Sequence, residues 1–157
     1  MARTYAINFV NVSVSTVVDL ISIKAGAANP LELHCIELSA LAVATPSELS
    51  VRLKRLPATV TQGSGGAVFT PNPIDSGDTK VAAATTHTND TTQATTSGTA
   101  LILAAWGWNV LNPFIYYPDR NQLDNPKIQA GEALILDLSA APGAAINLSG
   151  YAIFLEP

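Results

Sequence analysis

Charge is what this chain has least of. Only 13% of its 157 residues are Asp, Glu, Lys or Arg, against roughly 25% in ordinary soluble domains, while 48% are hydrophobic. A lone copy would have to cover its outside with Ser, Thr, Asn and small apolar side chains. A sizeable part of the surface is therefore expected to meet other protein, since obligate interfaces are depleted in charge. The net charge is −4, and the eight basic residues are scattered. That excludes nucleic acid as a partner, because phosphates need clustered Lys and Arg. Only Arg52, Lys54 and Arg55 lie close together, and on a strand Arg52 and Lys54 would form a solvated face.

Cysteine is as scarce. Cys35 is alone, so no internal disulfide can form, and the chain suits synthesis in a reducing cytoplasm. The two histidines, His34 and His87, are far apart. Neither belongs to a His-x-His or Cys-x-x-Cys pair that would hold zinc. His34 adjoins Cys35 but points the other way on a strand, leaving Cys35 as an inert core residue rather than a nucleophile. The opening residues, Met1 to Asn8, contain no apolar stretch suited to a signal peptide. No run approaches the roughly 20 apolar residues of a membrane span, so no membrane association is expected. Asn-x-Ser/Thr triplets at Asn11, Asn89 and Asn147 read as chance in a Ser/Thr-rich chain.

The acids are no more suggestive. Asp119, Asp124, Glu132 and Asp137 could be paired for glycoside hydrolysis, but their spacing selects no two of them. Asp119 and Asp124, with Asn121 and Asn125, are the best calcium candidates, yet the EF-hand pattern is absent. They read as a solvated loop. No catalytic residue, metal or cofactor is expected, and the chain does not read as an enzyme.

What the sequence does contain is strands. Tyr5–Ser15, Thr16–Lys24, Leu31–Leu41, Leu49–Leu56, Ala100–Val110 and Phe114–Tyr117 are apolar or alternating runs between Gly, Pro and Asn breakers. Leu31, Cys35, Leu38 and Leu41 would also suit a helix, but Pro30 and Pro46 bracket the run. Leu49, Val51 and Leu53 alternate with Ser50, Arg52 and Lys54, implying a sheet wet on one side. In 126–138, Leu134, Leu136 and Leu138 oppose Ala133, Ile135 and Asp137. With the run Ser149–Leu155 this suggests a closing hairpin that pairs with strands made earlier. About eight to nine strands and no confident helix predict an all-β fold, an antiparallel β-sandwich or jelly roll. It is expected as a single domain over 1–157, with a long Thr/Gly-rich loop at about 57–99.

Ala100–Val110 is apolar on both faces, with Ile102, Ala104, Trp106 and Trp108 opposite Leu101, Leu103 and Ala105. Such a strand is either covered by a loop or buried at a subunit contact. The partner interface is accordingly expected to include Ile102, Leu103, Trp106, Trp108, Tyr116 and Tyr117. The same aromatics could pack the core, anchor an interface or stack on a sugar.

The Trp106–Pro118 run, WGWNVLNPFIYYP, and the closing PKIQAGEALILDLSAAP…SGYAIFLE follow N-terminal strands and a Gly/Ser/Thr-rich middle. This order resembles small jelly-roll virion proteins of tailed bacteriophages, of the capsid decoration (cement) type. The resemblance implies a homotrimer on the outside of the head that clamps neighbouring copies of the major capsid protein. It implies a virion location after synthesis in the host cytoplasm, and it carries no catalytic residues. The alternative is a carbohydrate- or receptor-binding jelly-roll module of a phage tail or fibre, stacking on Trp106, Trp108 or Tyr117.

Overall fold

β-branched and aromatic residues placed two apart, between turn-forming residues, make extended chain the local preference throughout. The computed structural model describes residues 2–41, 47–118 and 125–157. Among these there is no helix, and the strands pair antiparallel. No helix among them is long and apolar enough to cross a membrane. The run at 31–41 is a strand, as its bracketing prolines suggest.

Four long strands open the chain: β1 (Arg3–Val14), β2 (Asp19–Lys24), β3 (Leu31–Leu41) and β4 (Glu48–Leu56). Short ones follow: β5 (Val60–Thr61), β6 (Ala67–Phe69), β7 (Asn72–Pro73), β8 (Thr85–Asp90) and β9 (Thr95–Thr96). The chain closes with β10 (Leu101–Asn109), β11 (Phe114–Tyr116), β12 (Lys127–Ile128), β13 (Ala133–Leu138) and β14 (Ile146–Glu156). Of the solvated loop expected around Asp119 to Asn125, only Asn125 lies within the described residues.

One sheet has the order β11-β3-β14-β1-β7, with β12 also on β3; the other has β10-β4-β13-β2-β8-β6. The strands β1 to β4 alternate between the sheets, β10 stays beside β4, and β11, β13 and β14 alternate again. The expected closing hairpin is not formed. β13 pairs with β2 and β4, and β14 with β1 and β3. Two apolar strands in sequence gain more by each filling the middle of a sheet than by pairing at an edge.

Tyr5, Ile7, Leu33 and Phe154 from the first sheet meet Ile23, Val51, Leu53 and Leu136 from the second in one core. Burying each such side chain contributes about 1.5–3 kcal/mol, more than a typical exposed ion pair. The alternation therefore fixes strand register.

The segment expected as a solvated loop is built in. β8 lies between β2 and β6, and Thr86, Thr88 and Asp90 are buried. Threonine is β-branched, and its hydroxyl can be satisfied within the sheet; Thr86 Oγ1 donates to Phe69 O at 2.6 Å. β5 pairs with β9, and Val60 and Ala94 pack on Leu56, Ala133 and Ile135 in a second, smaller apolar cluster. This layer covers the outer side of the second sheet, which the alternation in β4 had suggested would face water.

Candidate functional site

β10 is the edge of the second sheet and β11 an edge of the first. They lie on the same side of the sandwich, joined by aromatics. Trp106 meets Phe114 edge-on at 5.2 Å between ring centroids and Tyr116 at 5.2 Å, while Trp108 meets Phe114 at 6.1 Å. Trp108 is only 4% exposed, and its Nε1 donates to Asn112 O at 2.7 Å. A buried indole needs that acceptor, and the bond secures the turn between the two edges. Val110 N donates to Ser47 O at 3.1 Å and Asn112 N to Asn109 O at 3.0 Å, closing the same corner. Burial pushes the Tyr116 phenol above its ordinary pKa.

The six residues expected at an interface thus divide. Trp108 belongs to the core, and Trp106 and Tyr116 are half-buried against it. Ile102 is 58% exposed, Leu103 44% and Tyr117 57%. Strict alternation of faces does not hold along β10. A register shift between Ile102 and Ala104 sets Ile102 opposite Lys54 but Ala104 opposite Leu53. Cross-strand partners share a face, so Ile102 is on the outer side and not with Ala104 and the tryptophans. Leu103 is the extra residue of this β-bulge. Leu101, Ile102, Leu103, Leu111 and Ile115 are large apolar side chains left exposed on or beside these two strands. β10 itself carries no charge and, among the described residues, pairs only with β4.

Tyr117 Oη donates to Glu37 Oε1 at 2.5 Å. The acceptor carboxylate of Glu37 holds the Tyr117 phenol above its ordinary pKa, and the hydrogen bond with Tyr117 does the same, more strongly, for Tyr151. Beside them, burial raises the Cys35 thiol, in keeping with an inert cysteine.

A second polar centre escaped the sequence reading. Asp137 is fully buried on the outer side of the second sheet. Arg52 Nη2 lies 2.6 Å and Lys54 Nζ 2.8 Å from its Oδ2. Arg52 and Lys54 are therefore not a solvated face. They bend over the sheet to neutralise a carboxylate sealed in by the small outer layer. Next to it Asp19 Oδ2 accepts from Ala94 N at 2.7 Å, and burial raises the Asp19 pKa. Gln93 and Ala94 belong to the covering layer, so the cluster fastens that layer down. The only hint was Asp137 on an otherwise apolar face, and its cations sit 85 and 83 residues away in the chain.

Of the acids weighed for catalysis or calcium, Asp119 and Asp124 lie outside the described residues. Glu132 Oε2 accepts from Gln129 N at 2.9 Å in a turn, and Asn125 donates to Glu32. Among the described residues no group of three or more His, Cys, Asp or Glu is placed to hold a metal ion. His34 Nε2 lies 3.6 Å from Glu32, and His87 Nδ1 lies 3.0 Å from Asp90 Oδ2. No protein-family model matches this chain, and no curated protein or solved structure matches it either.

Proposed function

We propose that this chain is a structural virion protein of the phage capsid decoration type, a jelly roll that assembles as a homotrimer and stabilises the head from outside. The observation that carries this reading is the open, uncharged edge strand β10 with its exposed leucines and isoleucine. Soluble proteins blunt such edges with Lys, Pro or a covering segment. Here the strand keeps a bulge as its sole irregularity, and an apolar patch of this kind marks a contact surface. The low total charge supports the same reading.

The jelly-roll assignment rests on eight principal strands. β1, β14, β3 and β11 lie in one sheet and β2, β13, β4 and β10 in the other. That is the order expected when two four-stranded Greek keys fold over one another. The resemblance of the Trp106–Pro118 run to phage decoration proteins supports the trimer and the major capsid protein as partner. The mechanism is mass action: a protein that binds only the assembled shell stabilises it by the free energy of that binding.

Size-exclusion chromatography with light scattering should return three copies per particle. A monomer at micromolar concentration would overturn the oligomer. Heads lacking this protein should withstand a higher temperature once it is added back, and an unchanged disruption temperature would overturn the capsid role.

A second reading, a carbohydrate-binding module, is favoured by one observation: the exposed Tyr117 ring beside the Glu37 carboxylate, a stacking surface next to an acceptor for sugar hydroxyls. Buried Trp108 is no part of it. Glycan binding that vanishes in Tyr117→Ala would favour this reading over the first.

A further inference from the structure

The second sheet ends in β10 on one side and in β6 on the other, and the two ends differ in shape. On β10 the side chains of Leu101, Ile102 and Leu103 stand exposed. Beside β6 the molecule is hollow. A groove of about 440 Å³ lies between β6, β8 and the second half of β1. Phe9, Val12, Val14 and Phe69 line it, and none of its described lining residues is charged. Ser13 and Ala67 line it and are themselves exposed, so it opens to the surface. An apolar cavity of roughly 150 Å³ takes up a benzene-sized group, so this one has room for more than one aliphatic side chain.

The hollow is built into the backbone. In β1 the pairing with β14 shifts between Phe9 and Val12, and Asn11 has φ 54°. In β8, Asn89 has φ 58°. A bulge bends its strand, and in both strands the irregularity falls at the groove.

Three-fold symmetry limits what can fill it. In a closed ring of three, one surface of each protomer meets a different surface of the next, so β10 does not meet β10. Two short strands end the sheets on the far side, β7 in the first and β6 in the second. Proline is one of the residues that blunt an edge, and β7 contains Pro73. β6 is Ala67-Val68-Phe69, with neither proline nor charge, and Val68 is 77% exposed. Copies that each carry a net charge of −4 repel one another, and contact between two uncharged surfaces adds no local repulsion.

We propose that β10 of one copy docks beside β6 of the next, with Ile102 and Leu103 seated in the neighbour's groove. This contact rests on the homotrimer proposed above and makes each protomer both donor and acceptor. A dry apolar hollow lacks packing partners on its open side, and the neighbour's aliphatic side chains supply them.

Light scattering on wild type, Ile102→Asp, Ala67→Asp and Ser13→Asp tests it. All three positions are exposed, so the variants should unfold at nearly the wild-type temperature. Each should weaken association by about 100-fold or more, because an unpaired carboxylate would be buried in an apolar contact. Isotope-labelled Ile102→Asp keeps its groove, and unlabelled Ala67→Asp keeps its β10. Titrating the second into the first to millimolar concentration should give amide NMR shifts centred on Val12, Ser13 and Ala67. Absent shifts, or shifts centred elsewhere, would overturn the docking. A trimeric wild type whose size survives both Ala67→Asp and Ser13→Asp would overturn the docking alone, whereas a monomeric wild type would overturn the trimer and the docking together.

Discussion

Asp19 and Asp137 are bridged by a single amide: Gln93 Nε2 lies 3.1 Å from Asp19 Oδ1 and 3.1 Å from Asp137 Oδ2. Two carboxylates buried side by side repel one another. Arg52 and Lys54 neutralise Asp137, leaving Asp19 with the amide of Gln93 and the backbone of Ala94.

The pH dependence follows from Asp19. Burial, the largest cause, raises its folded pKa above the ordinary 3.8. The folded state therefore holds the proton more tightly than the unfolded one. The resulting stability is fully present below pH 3.8 and is lost as pH rises through the folded value. In urea titrations, wild type should lose stability relative to Asp19→Asn as pH rises from about 4. A constant difference between the two would contradict the raised pKa.

Asp137→Asn removes the carboxylate that Arg52 and Lys54 contact directly. Breaking a buried pair in this way costs about 3–5 kcal/mol, and equilibrium urea unfolding should register that loss. Arg52→Met alone should cost less, since Lys54 still neutralises Asp137 and the Arg52 side chain is 28% exposed.

Ile102→Asp and Leu103→Asp separate an interface from a core. Both side chains are exposed in the protomer, so each change should alter protomer stability by no more than about 0.5 kcal/mol. Light scattering should nevertheless show smaller particles. Unfolding in place of dissociation would mean that these residues hold the protomer together.

Gly150→Ala tests the close pairing of β14 with its neighbours. A Cβ there would meet Leu38 Cδ2 at 2.6 Å, Glu37 O at 3.0 Å and Phe9 Cε1 at 3.0 Å. Overpacking of this kind costs about 1–3 kcal/mol. At about 2–4 °C per kcal/mol for a chain of this size, the thermal midpoint should fall by several degrees.

The strands that alternate or are apolar throughout were legible in the sequence, because register there is set by local side-chain pattern. Leu134, Leu136 and Leu138 do face the core, and Ala133, Ile135 and Asp137 the other side. Three things were not legible. Thr85–Asp90 reads as loop because composition cannot register hydroxyls that bond within a sheet. The bulge at Leu103 shifts Ile102 to the opposite face with no glycine or proline to announce it. The Asp137 cluster depends on a strand order that brings β13 beside β4, and no local spacing encodes that order. Of the six residues expected at an interface, the exposure of Leu103 and Tyr117 was within reach of the pattern, but the face of Ile102 and the burial of Trp108 under the corner at Asn112 were not.

The pairing of Arg3 with Glu156 has a practical consequence. The first residue of β1 and the last of β14 face one another on a single rung of the ladder, about 5 Å apart between Cα atoms as antiparallel partners are. A linker of a few residues would join them, and the exposed stretch at Gly143–Ala145 offers a place to cut the circle open. Such a permutant would keep every strand where it is while moving both termini to the opposite end of β14, so that a fused peptide could be displayed from either pole.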